Sequence, residues 1–218
     1  MNLLCTRRQK ITRLVGLVLA GLLFYGCEEW LPEWENHPPT VHEESADVVY
    51  DWYKLIGQIQ LRTSPQPNVI ANNRSFGYIG VGLYEAVQPG LKGAVSLSST
   101  LYQMPTMPKP ERNRGYVWGA SANAALASLS KQLLVGLTQA DRARLDSLET
   151  AYQARFSAQN PAAVVARSQA FGQAVATAIY NWSTTDNFSI SSDGYVLPVF
   201  PGAWVPTPPP MPTRSGPS

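Results

Sequence analysis

Apolar residues recur at helical spacing in five successive segments of this chain. A period of about 3.6 residues is typical of amphipathic helices, because it gathers the apolar side chains on one face. No segment shows a convincing alternation of apolar and polar residues, which is the pattern of a half-buried strand. We therefore predict an all-α fold: a helical bundle of about five helices with a Pro-rich C-terminal tail.

Capping residues place the ends of these helices. Ser45 is a candidate N-cap, Thr138-Gln-Ala-Asp141 has the spacing of a capping box, and Asn160-Pro161 combines an N-cap with proline at the first helical position. The predicted helices cover approximately residues 45–61, 67–87, 111–134, 138–156 and 160–182.

Small residues predict close helix packing in two of these segments. Gly77, Gly80 and Gly82 weaken the second helix, each by up to about 1 kcal/mol relative to Ala. Such glycines are understandable where another helix crosses at short range, and the Ala- and Ser-rich third helix gives the same indication. Three tryptophans at helical positions are the predicted core anchors: Trp52, Trp118 and Trp182.

The N-terminus has the pattern of an export signal. A basic region with four Lys and Arg residues precedes an apolar run over residues 14–25, and the small Gly26 stands directly before Cys27. The run is shorter than the roughly 20 apolar residues that span a bilayer. A small residue before cysteine resembles the bacterial lipobox, from which Phe24 and Tyr25 depart. We predict lipidation of Cys27; the alternatives are an uncleaved signal anchor and an ordinary buried cysteine.

Cleavage after Gly26 would change what the composition indicates. The four basic residues leave with the signal, so the formal charge of +2 becomes −2, and no basic run remains that could bind nucleic acid. Both cysteines, Cys5 and Cys27, lie in the signal or at its end, so the mature body has no thiol for a disulfide, a zinc site or a nucleophile. Glu28 and Glu29 resemble the acidic tag of some surface lipoproteins.

The sequence thus divides into four predicted parts. These are a lipoprotein signal peptide (1–26), a tether (27–44), a helical domain (45–182) and a Pro-rich tail (183–218) that leads toward an absent catalytic half. Prolines in the tether predict extended backbone, because proline fixes its own φ and disfavours helix before it. The predicted location is the bacterial outer membrane, on its periplasmic or surface face, and the predicted partner is the membrane, reached through the lipid.

Side chains suited to catalysis or metal binding are scarce. The two histidines, His37 and His42, both lie in the predicted tether, and their spacing without a nearby cysteine is a poor metal signature. No Gly-x-Ser-x-Gly elbow occurs, and the helical body has no histidine to activate a serine. We predict no catalytic, cofactor-binding or metal-binding residue in this chain. The charged residues of the fourth helix are interpreted as an ordinary solvated face: Asp141, Arg142, Arg144, Asp146 and Glu149.

Four segments carry a resemblance through their composition and order. They are Arg74-Ser-Phe-Gly-Tyr-Ile-Gly-Val-Gly-Leu-Tyr-Glu-Ala-Val87, residues 116–134 with Ala122-Asn-Ala-Ala-Leu-Ala127, residues 170–179 followed by Trp182 and Asp186, and Tyr195 with Pro201-Gly-Ala-Trp-Val-Pro-Thr-Pro-Pro209. In this order they resemble the N-terminal half of bacterial vanadium-dependent haloperoxidases and related phosphatases. The last segment is the most specific, because it is similar to the Gly-x-Trp-x-Pro-Thr-Pro-Pro stretch that leads those proteins into their catalytic half.

The resemblance implies a helical fold of the phosphatidic acid phosphatase type 2 superfamily, whose members bind vanadate or a phosphoryl group in one pocket. Lys and Arg donors neutralise the oxyanion there, one His bonds vanadium or phosphorus, and a second His does acid–base work. The family motifs are Lys-x6-Arg-Pro, Pro-Ser-Gly-His and Ser-Arg-x5-His-x3-Asp, and none occurs here. Lys109 and Arg114 have the wrong spacing. Vanadate is therefore implied for the full-length family and not expected in this chain.

Our first hypothesis is a lipid-anchored N-terminal helical region of a haloperoxidase- or phosphatase-like protein, truncated before the catalytic motifs and inactive alone. One alternative is a non-catalytic, membrane-tethered helical interaction module. Another is a two-chain enzyme whose catalytic half is supplied separately. Whether the chain serves an enzyme, and whether as phosphatase or haloperoxidase, stays open, because the deciding pocket residues are absent.

Overall fold

The computed structural model describes residues 40–189, 196 and 198–203. This part of the chain is all-α, as predicted, with five α-helices and no strand. The helices are α1 (Asp47–Arg62), α2 (Val69–Val87), α3 (Trp118–Leu133), α4 (Gln139–Gln159) and α5 (Ala162–Ser183). Short 3-10 helices lie before α1 and between α2 and α3: Val41–Glu43, Gln88–Gly90 and Leu97–Ser99. Cys27 and the predicted signal lie outside the described residues.

The core is built around α3, which packs against the other four helices. Of its 16 residues, 13 are buried, including Ala122, Ala125 and Leu126. A helix that is apolar or small on all sides belongs in the middle of a core, because no face of it needs water. The predicted core anchors Trp52 and Trp118 are both buried. Trp182 is half-buried and packs against the same core.

Glycines set two of the helix crossings. A Cβ at Gly172 of α5 would overlap the backbone carbonyl oxygen of Ser121 in α3, so the two backbones approach closely there. In α2, a Cβ at Gly82 would overlap the Leu129 side chain. The predicted close crossing of α2 is therefore confirmed at Gly82. It is wrong at Gly77, where a Cβ would have nothing within 4 Å.

The prediction that the third helix begins at Glu111 is wrong, because α3 starts at Trp118. The preceding residues are held as a loop by a side chain of the loop itself and by one from α5. The backbone N–H of Glu111 donates to the hydroxyl of Tyr116 (2.9 Å), and Nη2 of Arg167 donates to the carbonyl of Gly115 (2.8 Å).

The helix caps were predicted with mixed success. The capping box of α4 is confirmed: the Asp141 backbone N–H donates to Thr138 Oγ1 (3.1 Å), and the Thr138 N–H donates to Asp141 Oδ2 (3.2 Å). The N-cap of α1 is Ala46 rather than Ser45, although Ser45 Oγ accepts the N–H of Asp47 (3.2 Å).

The residues around Asn160 also differ from the prediction. Asn160 ends α4, and its side-chain amide donates back to the carbonyl of Phe156 (3.0 Å), while Pro161 occupies the N-cap of α5. At the other end of the chain, the predicted extended backbone of the tether is wrong for Val41–Glu43, which forms a 3-10 helix. In the described part of the chain, no helix is long and apolar enough to cross a membrane.

The described residues up to Asp186 form one unit, and those from Asn187 onward form another. The boundary predicted from the sequence lies a few residues earlier. In the second unit, Pro201 and Gly202 of the proline motif make a turn, in which the Ala203 N–H donates to the Phe200 carbonyl (2.9 Å). Gly202 has a φ of 88°, as position i+2 of a type II turn requires.

Candidate functional site

Two of the motif segments meet where α5 ends. Arg74, in the second turn of α2, donates from Nε to Asp186 Oδ2 (2.7 Å) and from Nη2 to the carbonyl of Ser183 (2.5 Å). Tyr78, one turn further along α2, donates its hydroxyl to the same Asp186 oxygen (3.1 Å). We call Arg74, Tyr78, Trp182, Ser183 and Asp186 the Arg74 junction. It ties the C-terminus of α5 to the middle of α2.

Aromatic contacts reinforce the Arg74 junction. The guanidinium of Arg74 lies 5.2 Å from the centroid of the Tyr78 ring, within cation–π range. The Tyr78 ring meets Trp182 edge-to-face, with centroids 5.0 Å apart. Burial, and then the hydrogen bond and charge of Asp186, raise the pKa of Tyr78. The hydroxyl therefore remains a donor at neutral pH, as the junction requires.

Two residues near the C-terminus of α2 hold the loop between α2 and α3 in place. Glu85 is 1% exposed, and its Oε1 accepts the backbone N–H of Leu97 (2.6 Å). The neighbouring Tyr84 donates its hydroxyl to the carbonyl of Val95 (2.9 Å). These two motif residues thus fix part of the connection between α2 and α3, a structural role that their spacing in the sequence does not reveal.

The N-terminus of α3 is capped by a carboxylate that lies far upstream in the sequence. The backbone N–H groups of Trp118 and Gly119 donate to the two oxygens of Glu44, each at 2.6 Å. Burial raises the pKa of Glu44, and the two backbone hydrogen bonds lower it by less. Glu44 satisfies N–H groups that have no partner within the helix, and its charge complements the positive end of the helix dipole.

Two clefts flank this cap. One, of about 290 Å³, is lined by both polar and apolar side chains, among them Asp47, Tyr152, Arg155 and Phe156. The other, of about 160 Å³, is largely apolar and includes Leu83 and Val87. Tyr152, on the wall of the first cleft, donates its hydroxyl to Asp51 (2.6 Å); burial, then this hydrogen bond, raises the pKa of Tyr152 to about 12.

A third cleft, of about 420 Å³, lies beside α3 and contains Lys131. Its ammonium contacts Asp146 and Glu149 of α4, both at 2.6 Å. Burial lowers the pKa of Lys131, but hydrogen bonds to the two carboxylates and their charges raise it by more. The sequence analysis interpreted the acidic residues of α4 as an ordinary solvated face. Two of them instead pair with Lys131, and Asp141 belongs to the capping box.

The described residues do not fit a vanadate ion. A vanadate pocket needs cationic donors and a histidine converging on one oxyanion. None of these three clefts is lined by histidine, and His42 is exposed within the 3-10 helix Val41–Glu43. No group of three His, Cys, Asp or Glu residues in the described part of the chain could hold a metal ion. His37 and Cys27 lie outside that part, and lipidation of Cys27 stays a prediction.

No protein-family model matches the chain, and no curated protein matches its sequence. Among solved structures, it is similar to the first bacterial vanadium-dependent iodoperoxidase, with a TM-score of 0.58 and 25% sequence identity. The match covers 75% of this chain and 37% of that chain. The chain thus spans little more than a third of the iodoperoxidase, and the likeness supports a related, haloperoxidase-like helical domain.

Proposed function

We propose that this chain supplies the lipid-anchored N-terminal helical region of a vanadium haloperoxidase- or phosphatase-like protein. The catalytic Lys, Arg and His residues then come from polypeptide outside this sequence. The observation that carries the proposal is the structural likeness to a vanadium iodoperoxidase over 75% of the chain. The Arg74 junction adds support, because it brings together Arg74, Trp182 and Asp186, which belong to two separate segments of the resemblance.

The task of such a region is positioning. A catalytic pocket works only when its residues are held within a fraction of an ångström, and rigid, well-packed elements provide that support. α3 is buried along most of its length, and the Arg74 junction fixes the end of α5, the last helix among the described residues. The helical region would thus set where the following polypeptide begins.

A search of the DNA beyond codon 218, in all three frames, tests this assignment. A Pro-Ser-Gly-His motif within the next few hundred codons is the expected result. Its absence, together with absence from neighbouring genes, would contradict the assignment to a haloperoxidase or phosphatase. It would favour the non-catalytic interaction module.

The lipid anchor is tested separately. Cells that express the chain are grown with a radioactive fatty acid, and the labelled protein is compared with the Cys27→Ser variant. We expect label on the parent chain and none on the variant, because Cys27 is the thiol next to the predicted cleavage point. Equal labelling of both, or of neither, would contradict the anchor.

A further inference from the structure

The largely apolar cleft of about 160 Å³ beside Glu44 is bounded by several elements of the bundle. Half-buried aliphatic side chains from the first 3-10 helix, α1 and α2 line it together: Val41, Val49, Leu83 and Val87. An apolar group that fills the cleft would remove surface of several of these side chains from water at once, which is favourable. A cavity of about 150 Å³ accommodates a benzene-sized ring, so the cleft has room for one aromatic ring.

Glu44 gives this cleft a hydrogen-bond acceptor. Each of its carboxylate oxygens accepts one backbone N–H, from Trp118 and from Gly119. A carboxylate has about four lone-pair sites, so Glu44 can accept a further hydrogen bond from a group in the cleft. The cleft therefore suits an apolar ring that carries a single donor better than it suits an aliphatic or acidic side chain.

The described chain begins on the wall of this cleft. Val41 is packed against the connection that follows α2, because a Cβ at Gly90 would lie 2.7 Å from Cγ2 of Val41. The preceding Thr40 donates its backbone N–H to the carboxylate of Glu43 (2.7 Å). Residues 27–39, which lie outside the described part of the chain, thus join the bundle next to the cleft.

We propose that the indole ring of Trp34 occupies this cleft and donates its N–H to Glu44. Residues 28–39 contain three large apolar side chains: Trp30, Leu31 and Trp34. An indole combines an apolar ring system with one N–H donor, which Leu31 lacks. The six residues from Trp34 to Thr40 span up to about 20 Å, enough to turn back, and the loop that Trp34 closes is shorter than that of Trp30 and costs less entropy.

The docking changes the role of the predicted tether. Between Cys27 and a docked Trp34 the chain spans at most about 25 Å, whereas between Cys27 and Thr40 it could span about 45 Å. A lipid on Cys27 would then hold the helical body close to the membrane instead of at the end of a long spacer. The docking itself requires neither the lipid nor a catalytic half, so it can fail or succeed independently of the proposed function.

Photocrosslinking in the full chain tests where residue 34 lies. The codon of Trp34 is replaced by one that inserts p-azidophenylalanine, which keeps a single aromatic ring. The matched control carries the same replacement at Trp30, in the same segment. After irradiation of expressing cells, crosslinked peptides are identified by mass spectrometry. We expect crosslinks from position 34 to residues 44–49 and 83–87 of the same molecule, and few such crosslinks from position 30.

A double-mutant cycle measures the same contact without the photoreactive group. Trp34→Ala and Leu83→Ala should be coupled by about tenfold in the unfolding equilibrium constant, as is usual for side chains in contact. The pair of Trp30→Ala and Leu83→Ala should show no coupling. Urea unfolding followed by circular dichroism measures both cycles in the purified full-length chain.

Three results would overturn the docking of Trp34. They are the absence of crosslinks from position 34 to the cleft, crosslinks from that position only to a second copy or to another protein, and equal coupling in the two cycles. The first and third would show that the cleft is not filled by this segment. The second would show that the segment binds elsewhere.

Discussion

The N-termini of α3 and α4 are capped in different ways. α4 is capped by its own sequence, since Thr138 and Asp141 are three residues apart and bond each other's backbone N–H groups. α3 is capped by Glu44, 74 residues before Trp118. A solvated helix can carry its own cap, whereas a helix buried on all sides begins inside the protein and takes its cap from another element.

The two capping acids also differ in the direction in which their pKa values are shifted. Burial raises the pKa of Glu44, whereas the hydrogen bond from the Thr138 side chain is the main cause that lowers the pKa of Asp141. The cap of α3 is thus a tertiary interaction and the cap of α4 a local one.

The largest effect is expected where another backbone touches α3. Gly172→Ala places a methyl group against the Ser121 carbonyl and should lower the free energy of unfolding by about 3 kcal/mol, the upper range for overpacking. Gly77→Ala, on an exposed helical position with open space, is the matched control and should stabilise by up to about 1 kcal/mol. Urea unfolding measures both, and equal effects would show that α3 is not closely packed.

Removing the caps comes next. Glu44→Ala leaves two N–H groups of a buried helix end without their acceptor and should cost about 2 kcal/mol, whereas Thr138→Ala should cost about 1 kcal/mol. The same denaturant series measures the two losses. If Glu44→Ala lowered the free energy of unfolding by less than Thr138→Ala, the distinction between the tertiary and the local cap would be contradicted.

The Arg74 junction should contribute less, because its ion pair is partly solvated: the side chains of Arg74 and Asp186 are 19% and 28% exposed. A double-mutant cycle with Arg74→Ala and Asp186→Ala should give a coupling energy of up to about 1 kcal/mol. Each single variant should cost more than the coupling energy, since Arg74→Ala also removes the bond to Ser183 and Asp186→Ala also removes the bond from Tyr78. A coupling energy of zero would show that the ion pair between Arg74 and Asp186 does not stabilise the fold.

The smallest effect is a difference in pH dependence. Because the folded state raises the pKa of Glu44, the stability that this group confers is present below the ordinary pKa of Glu and is lost as pH rises through the raised value. Asp141 behaves oppositely: its contribution is present above the ordinary pKa of Asp and is lost as pH falls through the lowered value.

The pH effect is measured by comparison with variants that do not titrate. The stability of the parent chain relative to Glu44→Gln should fall with rising pH above the ordinary pKa of Glu. Its stability relative to Asp141→Asn should rise with pH below the ordinary pKa of Asp. Slopes of the same sign would contradict the opposite environments of the two acids.

Features set by local interactions could be predicted from the sequence, whereas features set by tertiary interactions could not. The five helices and the Thr138 capping box were predictable, because apolar spacing and a three-residue cap are local patterns. The start of α3 was not, because Glu44, Tyr116 and Arg167 hold the residues around it from distant positions or through a loop. The members of the Arg74 junction were visible as motif residues, but their meeting depends on how α2 packs against α5.

We propose that this chain supplies a helical scaffold and that the catalytic residues lie in polypeptide outside this sequence. The most direct test is turnover by purified residues 27–218 with vanadate, assayed for peroxide-dependent iodide and bromide oxidation and for hydrolysis of a phosphate monoester. We predict no turnover above the protein-free blank, because the described residues bring no histidine to any of the three clefts. Turnover that persists through purification would contradict the claim.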